Sequence, residues 1–88
     1  LKQNYPNPFN ATTIIRYQLP EETKVIIKMY NVLGQEVKVL VSELQSSGCY
    51  SVQWDGTNRF GQTVPSGVYF YCLESKGFRA TKKLLLMK

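Results

Sequence analysis

Histidine is absent from this 88-residue sequence, cysteine occurs twice, and only six residues are acidic. Without histidine, a Cys/His metal site and a Cys–His nucleophile are excluded. The acidic residues are scattered apart from Glu21 and Glu22, and neighbours on a strand point to opposite faces, so they form a poor acid/base pair. Nucleophile-elbow, P-loop and zinc-ligand spacings are also missing. The sequence therefore predicts a non-catalytic protein that needs no cofactor.

Long apolar runs are also absent, since no run approaches the roughly 20 residues of a membrane-spanning helix. We expect no stable membrane insertion, and the N-terminus does not have the pattern of a signal peptide. The chain begins at Leu1 without an initiator methionine, so we interpret residues 1–88 as a single module cut from a larger secreted protein. A composition of 43% hydrophobic and 19% charged residues is typical of a globular domain.

Positive charge exceeds negative charge, with 11 Lys and Arg residues and a net charge of +5. The basic residues are scattered except near the end of the chain, where an acid-free stretch holds five of them: Lys76, Arg79, Lys82, Lys83 and Lys88. Nucleic-acid binders more often concentrate their basic residues on one element beside exposed aromatic residues. We therefore expect no nucleic-acid partner, and we interpret the overall charge as serving solubility.

Alternation of apolar and polar residues predicts strands and no helix. The predicted strands are residues 12–19, 24–30, 36–41, 48–54, 68–74 and 78–87. Turns at intervals of seven to twelve residues favour an all-β fold, an immunoglobulin- or fibronectin III-like antiparallel β-sandwich of about six to seven strands. We place the first and fourth predicted strands in one sheet and the other four in the second.

The core is expected to form around Trp54 and the tyrosines, which carry the largest apolar areas. In the third strand Val37, Val39 and Val41 share one face, whereas Leu40 breaks the alternation and favours a bulge or a second contact face. Residues 31–34 are predicted to form a short hairpin connection. Residues 56–67 form the longest connector, and its length favours a compact Ω-type loop or a functional role.

Three minor motifs carry less weight. The lead-in of residues 1–11 is expected to be extended, with Tyr5 and Phe9 pinning it to the core. Asn10-Ala11-Thr12 matches the glycosylation sequon. Residues 55–58 faintly resemble a calcium loop but have too few carboxylates, so a turn with Asx hydrogen bonds is the better interpretation.

The two cysteines, Cys49 and Cys72, allow one disulfide at most. Both lie on the less apolar register of their strands. If the strands are neighbours in one sheet, a cross-strand bridge is open to them. If the strands lie in opposite sheets, both side chains would have to point inward, against the alternation of Tyr50 and Trp54. A disulfide and two isolated thiols both remain open.

Several segments together resemble the type A C-terminal sorting domain of the type IX secretion system. They are QNYPNPFN, the strand ending in YQLP, KMYNVLGQEV, SVQWDGTNRFGQTVPSGVYFYCL and KKLLLMK, and the match covers essentially the whole chain. The middle segments are also similar to the immunoglobulin-like domain of the flagellar hook-capping protein, whereas the two ends favour the sorting domain. The chain departs from the family pattern at Ala11, where proline is usual, and at Cys49 and Cys72.

The resemblance implies a module at the C-terminus of a secreted protein of Bacteroidota-like bacteria, preceded by a cargo domain. It further implies recognition in the periplasm by outer-membrane components of the type IX system and delivery to the cell surface or the medium. In that family a sortase-like peptidase often removes the domain. The residues implied to be recognised are Gly67, Val68, Tyr69, Lys82, Lys83, Leu84, Leu85, Leu86, Met87 and Lys88.

Two other functions remain open. An accessory β-sandwich of a secreted hydrolase would bind polysaccharide through exposed aromatic residues such as Tyr5 and Phe60, and it would be retained on insoluble glycans. A structural spacer would self-associate strongly and would have no role in secretion. Physically, the last strand suits docking because edge strands offer backbone groups for strand addition.

Overall fold

The computed structural model describes residues 1–8 and 12–87. Its strands are β1 (Thr13–Leu19), β2 (Thr23–Tyr30), β3 (Glu36–Gln45), β4 (Gly48–Trp54), β5 (Gly67–Ser75) and β6 (Phe78–Leu86). One antiparallel sheet contains β1 and β4, and the other has the order β3-β2-β5-β6. The predicted all-β fold and the predicted assignment of strands to sheets are confirmed. No helix in the described ranges is long and apolar enough to cross a membrane.

A short N-terminal segment extends the smaller sheet on the side of β1 that faces away from β4. Tyr5 and Ile14 exchange two backbone hydrogen bonds of 2.9 Å, and the N–H of Lys2 donates to the carbonyl of Arg16. The Tyr5 side chain is 69% exposed, so the prediction that it pins the lead-in to the core is wrong. Backbone pairing holds this segment instead. Phe9 and the first two residues of the predicted sequon lie outside the described residues.

The core lies between the two sheets, because the alternating residues of each strand point toward the opposite sheet. Trp54 and Tyr71 are fully buried, and Tyr17 and Tyr69 are buried with them. The expectation that the core forms around Trp54 and the tyrosines is therefore confirmed for Trp54 and for three of the six tyrosines. The ring of Trp54 meets the ring of Tyr69 edge-on, with 5.4 Å between the centroids. The other buried apolar residues include Ile15, Tyr17, Leu19, Val25, Ile27, Met29, Leu73, Leu84 and Leu86.

The β3 strand contains the bulge that its sequence suggests. Ile27 pairs with Val41 and Lys28 pairs with Val39, so Leu40 is the extra residue. Leu40 also packs partly against the core, so both alternatives for this position occur together. Because the bulge reverses the alternation, Val39 is 40% exposed while Val41 is buried. The prediction that Val39 shares the core face is therefore wrong.

The cysteines are two free thiols. Cys49 is exposed on β4, and Cys72 is buried on β5 in the other sheet. Each lies on the register opposite to the core-facing residues of its strand, so the two side chains point away from each other. Of the two arrangements that the sequence leaves open for Cys49 and Cys72, the structure has the two isolated thiols and not the disulfide. Cys72 is covered on the outer face by Arg79, whose Nε donates to the Cys72 Sγ at 3.4 Å.

Candidate functional site

The two segments implied in recognition meet along the β5–β6 hairpin. Val68 pairs with Leu85 and Tyr69 pairs with Leu84, while Gly67 pairs with the last residue of β6. The sequence resemblance places the two segments beside each other, but nothing in the sequence fixes their register. The structure brings them together as neighbouring rungs of one antiparallel ladder at the edge of the larger sheet.

The inner register of this ladder belongs to the core. Leu84 and Leu86 are each 1% exposed. The Tyr69 side chain is 6% exposed, and its hydroxyl donates a 2.6 Å hydrogen bond to the carbonyl of Pro65. Burial raises the pKa of the Tyr69 phenol. Three of the residues implied in recognition are therefore held inside the fold, where a docking partner does not reach them.

The outer register is the accessible part of the predicted site. Leu85 is 36% exposed and Met87 is 51% exposed. Lys83, which directly precedes the core residue Leu84, is exposed as well. Val68 is half-buried beside Leu85 on the neighbouring strand. Lys88 lies outside the described residues. The apolar side chains of Leu85 and Met87 therefore face solvent next to the cationic side chain of Lys83.

Positive charge dominates this hairpin. Between Gly67 and Leu86 there are four basic residues and one acidic residue, Glu74. Glu74 lies 3.8 Å from the Nε of Arg79, so its charge is engaged at the turn end of the hairpin. Lys82 shares the inner register, since it pairs with the buried Tyr71, and its side chain is half-buried. The end of β6 therefore combines apolar side chains with cationic charge.

Two lead-in side chains reach the free edge of β6. The Nε2 of Gln3 donates to the carbonyl of Lys83 at 2.8 Å, and the N–H of Leu85 donates to the Oδ1 of Asn7 at 3.0 Å. These bonds cross from the smaller sheet to the larger one. The backbone of β6 at the candidate site is therefore partly occupied by groups from the start of the chain.

A buried polar network fixes the lead-in behind these two side chains. Asn4 is 3% exposed, and its Nδ2 donates to the Oγ1 of Thr13 at 2.9 Å and to the carbonyl of Pro6 at 3.0 Å. The Tyr71 hydroxyl accepts from the N–H of Asn4 and donates to the carbonyl of Lys2, both at 2.8 Å. Burial raises the pKa of Tyr71, and the Asn4 N–H opposes that rise. Sequence reasoning missed this network because Tyr71 lies 67 residues from Asn4 and 69 residues from Lys2.

The loop after β4 is a turn, as predicted, and it does not have the donors of a calcium site. The Oδ1 of Asp55 accepts hydrogen bonds from the N–H and the hydroxyl of Thr57 at 3.2 and 2.5 Å. The Thr57 hydroxyl, together with Lys38 nearby, lowers the pKa of Asp55. Within residues 1–8 and 12–87, no three His, Cys, Asp or Glu side chains are grouped as metal ligands would be.

Residues 7–77 match the family model for the FlgD Ig-like domain, which is most of the chain. The chain belongs to the FlgD Ig-like domain family. The family likeness that the sequence motifs indicate is thereby confirmed. A search of curated proteins finds no match.

Two solved structures share the fold of this FlgD Ig-like domain. Dimeric latent PorU from Porphyromonas gingivalis aligns with a TM-score of 0.76 at 18% identity, over 97% of this chain and 9% of that chain. FlgD from P. aeruginosa aligns with a TM-score of 0.66 at 24% identity, over 85% of this chain and 60% of that chain. At these identities the likeness shows the fold alone. The domain spans less than two thirds of either protein.

Two loops of the FlgD Ig-like domain share one sequence pattern, NVLGQ at residues 31–35 and NRFGQ at residues 58–62. In each loop the asparagine Oδ1 accepts hydrogen bonds from the N–H groups two and four residues further on, at 2.9–3.1 Å. Each glycine N–H donates to the asparagine carbonyl at 3.0 Å. Gly34 and Gly61 have φ angles of 80° and 78°, where a side chain would cause strain.

Both loops hold an apolar side chain in solvent at the residue before glycine. Leu33 is 78% exposed and Phe60 is 77% exposed. The second loop is tied to β3, because the N–H of Arg59 donates to the carbonyl of Val37 at 3.1 Å. The repeated pentapeptide is a signal in the sequence from which this shared turn can be predicted. Treating the segments separately, as a hairpin connection and a long connector, missed it.

Replacing the asparagine of either loop by alanine is expected to lower the free energy of unfolding by about 1–2 kcal/mol, because two backbone N–H groups lose their acceptor. We expect similar losses for Asn31→Ala and Asn58→Ala, since the two loops have the same bonds. Urea denaturation measures the change. The matched control is aspartate at the same positions, which keeps the acceptor oxygen. A loss as large for Asp as for Ala would contradict this explanation.

Proposed function

We propose that this FlgD Ig-like domain is a non-catalytic C-terminal sorting domain. It directs a secreted cargo protein through the outer-membrane translocon of a type IX secretion system to the cell surface or the medium. In this proposal residues 1–88 form a single module cut from a larger secreted protein. Its partners are the N-terminal cargo, outer-membrane components of the system and a sortase-like peptidase in those cases where the module is removed.

The observation that carries the proposal is the accessible end of β6. Lys83, Leu85 and Met87 face solvent beside the edge of the larger sheet. Apolar side chains with an adjacent cation are suited to a protein partner that has an apolar surface and acidic residues. The buried side chains of Leu84 and Leu86 hold the strand in the core, so the positions of the three exposed side chains are fixed. The likeness of the fold to part of PorU supports the type IX setting.

The carbohydrate-binding alternative finds less support in the side chains. Among residues 1–8 and 12–87, the exposed aromatic residues are Tyr5, Phe60 and Phe78. They come from three different elements: the lead-in, the connector after β4 and the start of β6. Of the described ring pairs, Trp54 with Tyr69 lies in the core, and the other joins the buried Tyr17 to the half-buried Tyr50. A sugar platform needs several rings on one accessible surface, so we favour protein docking.

Deletion of the last seven residues would not test the proposal cleanly, because it removes the core side chains of Leu84 and Leu86. The test is instead the double substitution Lys83→Glu with Leu85→Gln, in residues 1–88 fused behind a periplasmic reporter in a host with this system. We expect at least about a tenfold decrease of reporter in the medium, because charge complementarity and apolar contact are both removed.

The matched control is Lys24→Glu with Leu44→Gln. These residues form a cross-strand pair at the opposite end of the same sheet, and Leu44 is 67% exposed. The control fusion should be exported normally, with folding of both variants verified by Trp54 fluorescence. Equal export of the test fusion and the unmodified fusion would refute the proposal.

A further inference from the structure

We propose that the free edge of β6 is a guarded strand-addition site. An extended segment of a partner protein pairs with the backbone of residues 81–87 and displaces the side chains of Gln3 and Asn7, while the lead-in backbone stays in place. The inference rests on the proposed function only for the identity of the partner. The site itself is argued from the hydrogen bonds of the lead-in and of β6.

The alternation of an antiparallel ladder identifies the backbone groups on the free edge. β6 has β5 as its neighbour on one side and stands last in the order of the described sheet. The Lys83 carbonyl and the Leu85 N–H bond to lead-in side chains, so these two residues direct their backbone groups away from β5. Since this direction repeats every second residue of the strand, Thr81 faces the same way, and Met87 follows directly after the end of β6. The edge thus presents a row of donors and acceptors at strand spacing.

We call the side chains of Gln3 and Asn7 the two guards of the edge. A partner strand can displace them at little cost in free energy. Both bonds are solvent-exposed side-chain bonds, whose net contribution is small compared with those of buried groups. The Nε2 of Gln3 also donates to the Oδ1 of Asn4 at 2.7 Å, so it keeps one partner when the Lys83 carbonyl is taken. A partner strand offers a backbone N–H and a backbone carbonyl in their place. The exchange therefore conserves hydrogen bonds at the edge.

The lead-in backbone does not need to move for this exchange. It is held by its pairing with β1 and by the buried bonds of Asn4 with Thr13 and Tyr71. Strands in one sheet lie about 4.8 Å apart, whereas facing sheets lie about 10 Å apart. Because the lead-in pairs with the smaller sheet, Gln3 and Asn7 reach the edge only with their side chains. Rotation of these side chains opens the edge.

The side chains of β6 define the occupant. On the outer face the partner strand would lie beside Lys83, Leu85 and Met87. That face of the partner should therefore carry an acidic residue opposite Lys83 and apolar residues opposite Leu85 and Met87, at every second position of its sequence. On the inner face the half-buried Lys82 opposes indiscriminate pairing, because charges that point inward at an edge discourage edge-to-edge association. The occupant is therefore an acidic, apolar extended peptide and not a second copy of this basic chain.

The experiment uses the ¹⁵N-labelled 88-residue chain and a capped heptapeptide, VTVTETE, as the probe. In an antiparallel pairing its two valines lie opposite Met87 and Leu85, and its first glutamate lies opposite Lys83. On titration, we expect larger amide shifts at Thr81, Lys83, Leu85 and Met87 than at the alternating residues of β6. The side-chain amide resonances of Gln3 and Asn7 should shift as well. The double variant Gln3→Ala with Asn7→Ala should bind the peptide at least about fivefold more tightly, because no guard has to be displaced.

The matched control is Gln18→Ala with Gln53→Ala, which removes two exposed amides from the smaller sheet and should leave affinity unchanged. Amide shifts without the alternating pattern, or equal affinity of the guard variant and the unmodified chain, would overturn the inference. Self-association of the guard variant in place of peptide binding would also overturn it. If that variant misfolds, the Gln3 and Asn7 side-chain resonances of the unmodified chain decide the question, since their failure to shift contradicts displacement.

Export of the reporter fusion separates this inference from the proposed function. If Lys83→Glu with Leu85→Gln decreases export as expected but the peptide does not pair with β6, only the edge inference is overturned. If the peptide pairs with β6 but those substitutions leave export unchanged, only the sorting proposal is overturned.

Discussion

Trp54→Ala is expected to lower the free energy of unfolding by about 4 kcal/mol. Trp54 is fully buried, its indole Nε1 donates to the carbonyl of Thr57 at 2.9 Å, and its ring packs edge-on against Tyr69. Removal of the ring leaves a cavity between the sheets, and a chain of this size has a total stability of only about 5–15 kcal/mol. Urea denaturation followed by far-UV circular dichroism measures the loss.

The matched control for Trp54→Ala is Phe60→Ala, which removes another large aromatic side chain. Phe60 is 77% exposed, so its removal should change the free energy of unfolding by no more than about 0.5 kcal/mol. A loss for Phe60→Ala comparable to that for Trp54→Ala would mean that the core is not organised around the indole ring.

Above about pH 10 we expect the stability of the domain to fall steeply. Burial raises the pKa of Tyr17, Tyr69 and Tyr71, and the hydrogen bonds of Tyr17 and Tyr71 only partly oppose it. The unfolded chain releases the phenolic protons near pH 10, whereas the folded chain retains them, so pH above that value favours unfolding. The stability is fully present below about pH 10, and each tyrosine removes up to about 1.4 kcal/mol per pH unit above it.

Urea denaturation at a series of alkaline pH values measures this slope. Tyr69→Phe should flatten it by the contribution of one tyrosine, because the variant keeps the buried ring and loses the ionising group. Tyr5→Phe serves as the control, since the Tyr5 ring is 69% exposed. A free energy of unfolding that stays constant between about pH 9 and about pH 11 would contradict the expected linkage.

Strand positions and sheet membership could be predicted because alternation is a local property of the sequence. Ile15, Tyr17 and Leu19 read as one face of a strand and are buried as such. The alternation failed at Val39, where the bulge at Leu40 shifts the register. An irregular residue signals that a bulge is present, but only the pairing with β2 decides which later side chains change faces.

The candidate site could be located in the sequence but could not be divided into its two faces. The segment KKLLLMK is apolar on both registers, so either set of leucines could have been the buried one. Pairing with β5 decides it, because Leu84 lies opposite the core residue Tyr69. The guards at Gln3 and Asn7 were beyond reach, since no local pattern relates them to carbonyl and amide groups nearly 80 residues away.

In the shared turn at residues 31–35 and 58–62, the residues that hold the loop conformation differ from those whose side chains face solvent. Asparagine supplies the acceptor oxygens and glycine the backbone angle, while Leu33 and Phe60 contribute only their backbone N–H groups. The side chains of Leu33 and Phe60 take no part in the hydrogen bonds inside the loop. The side chains of Leu33 and Phe60 can therefore be exchanged without loss of the hydrogen bonds that form the turn. Such a frame lets one scaffold acquire new surface chemistry by two-residue changes.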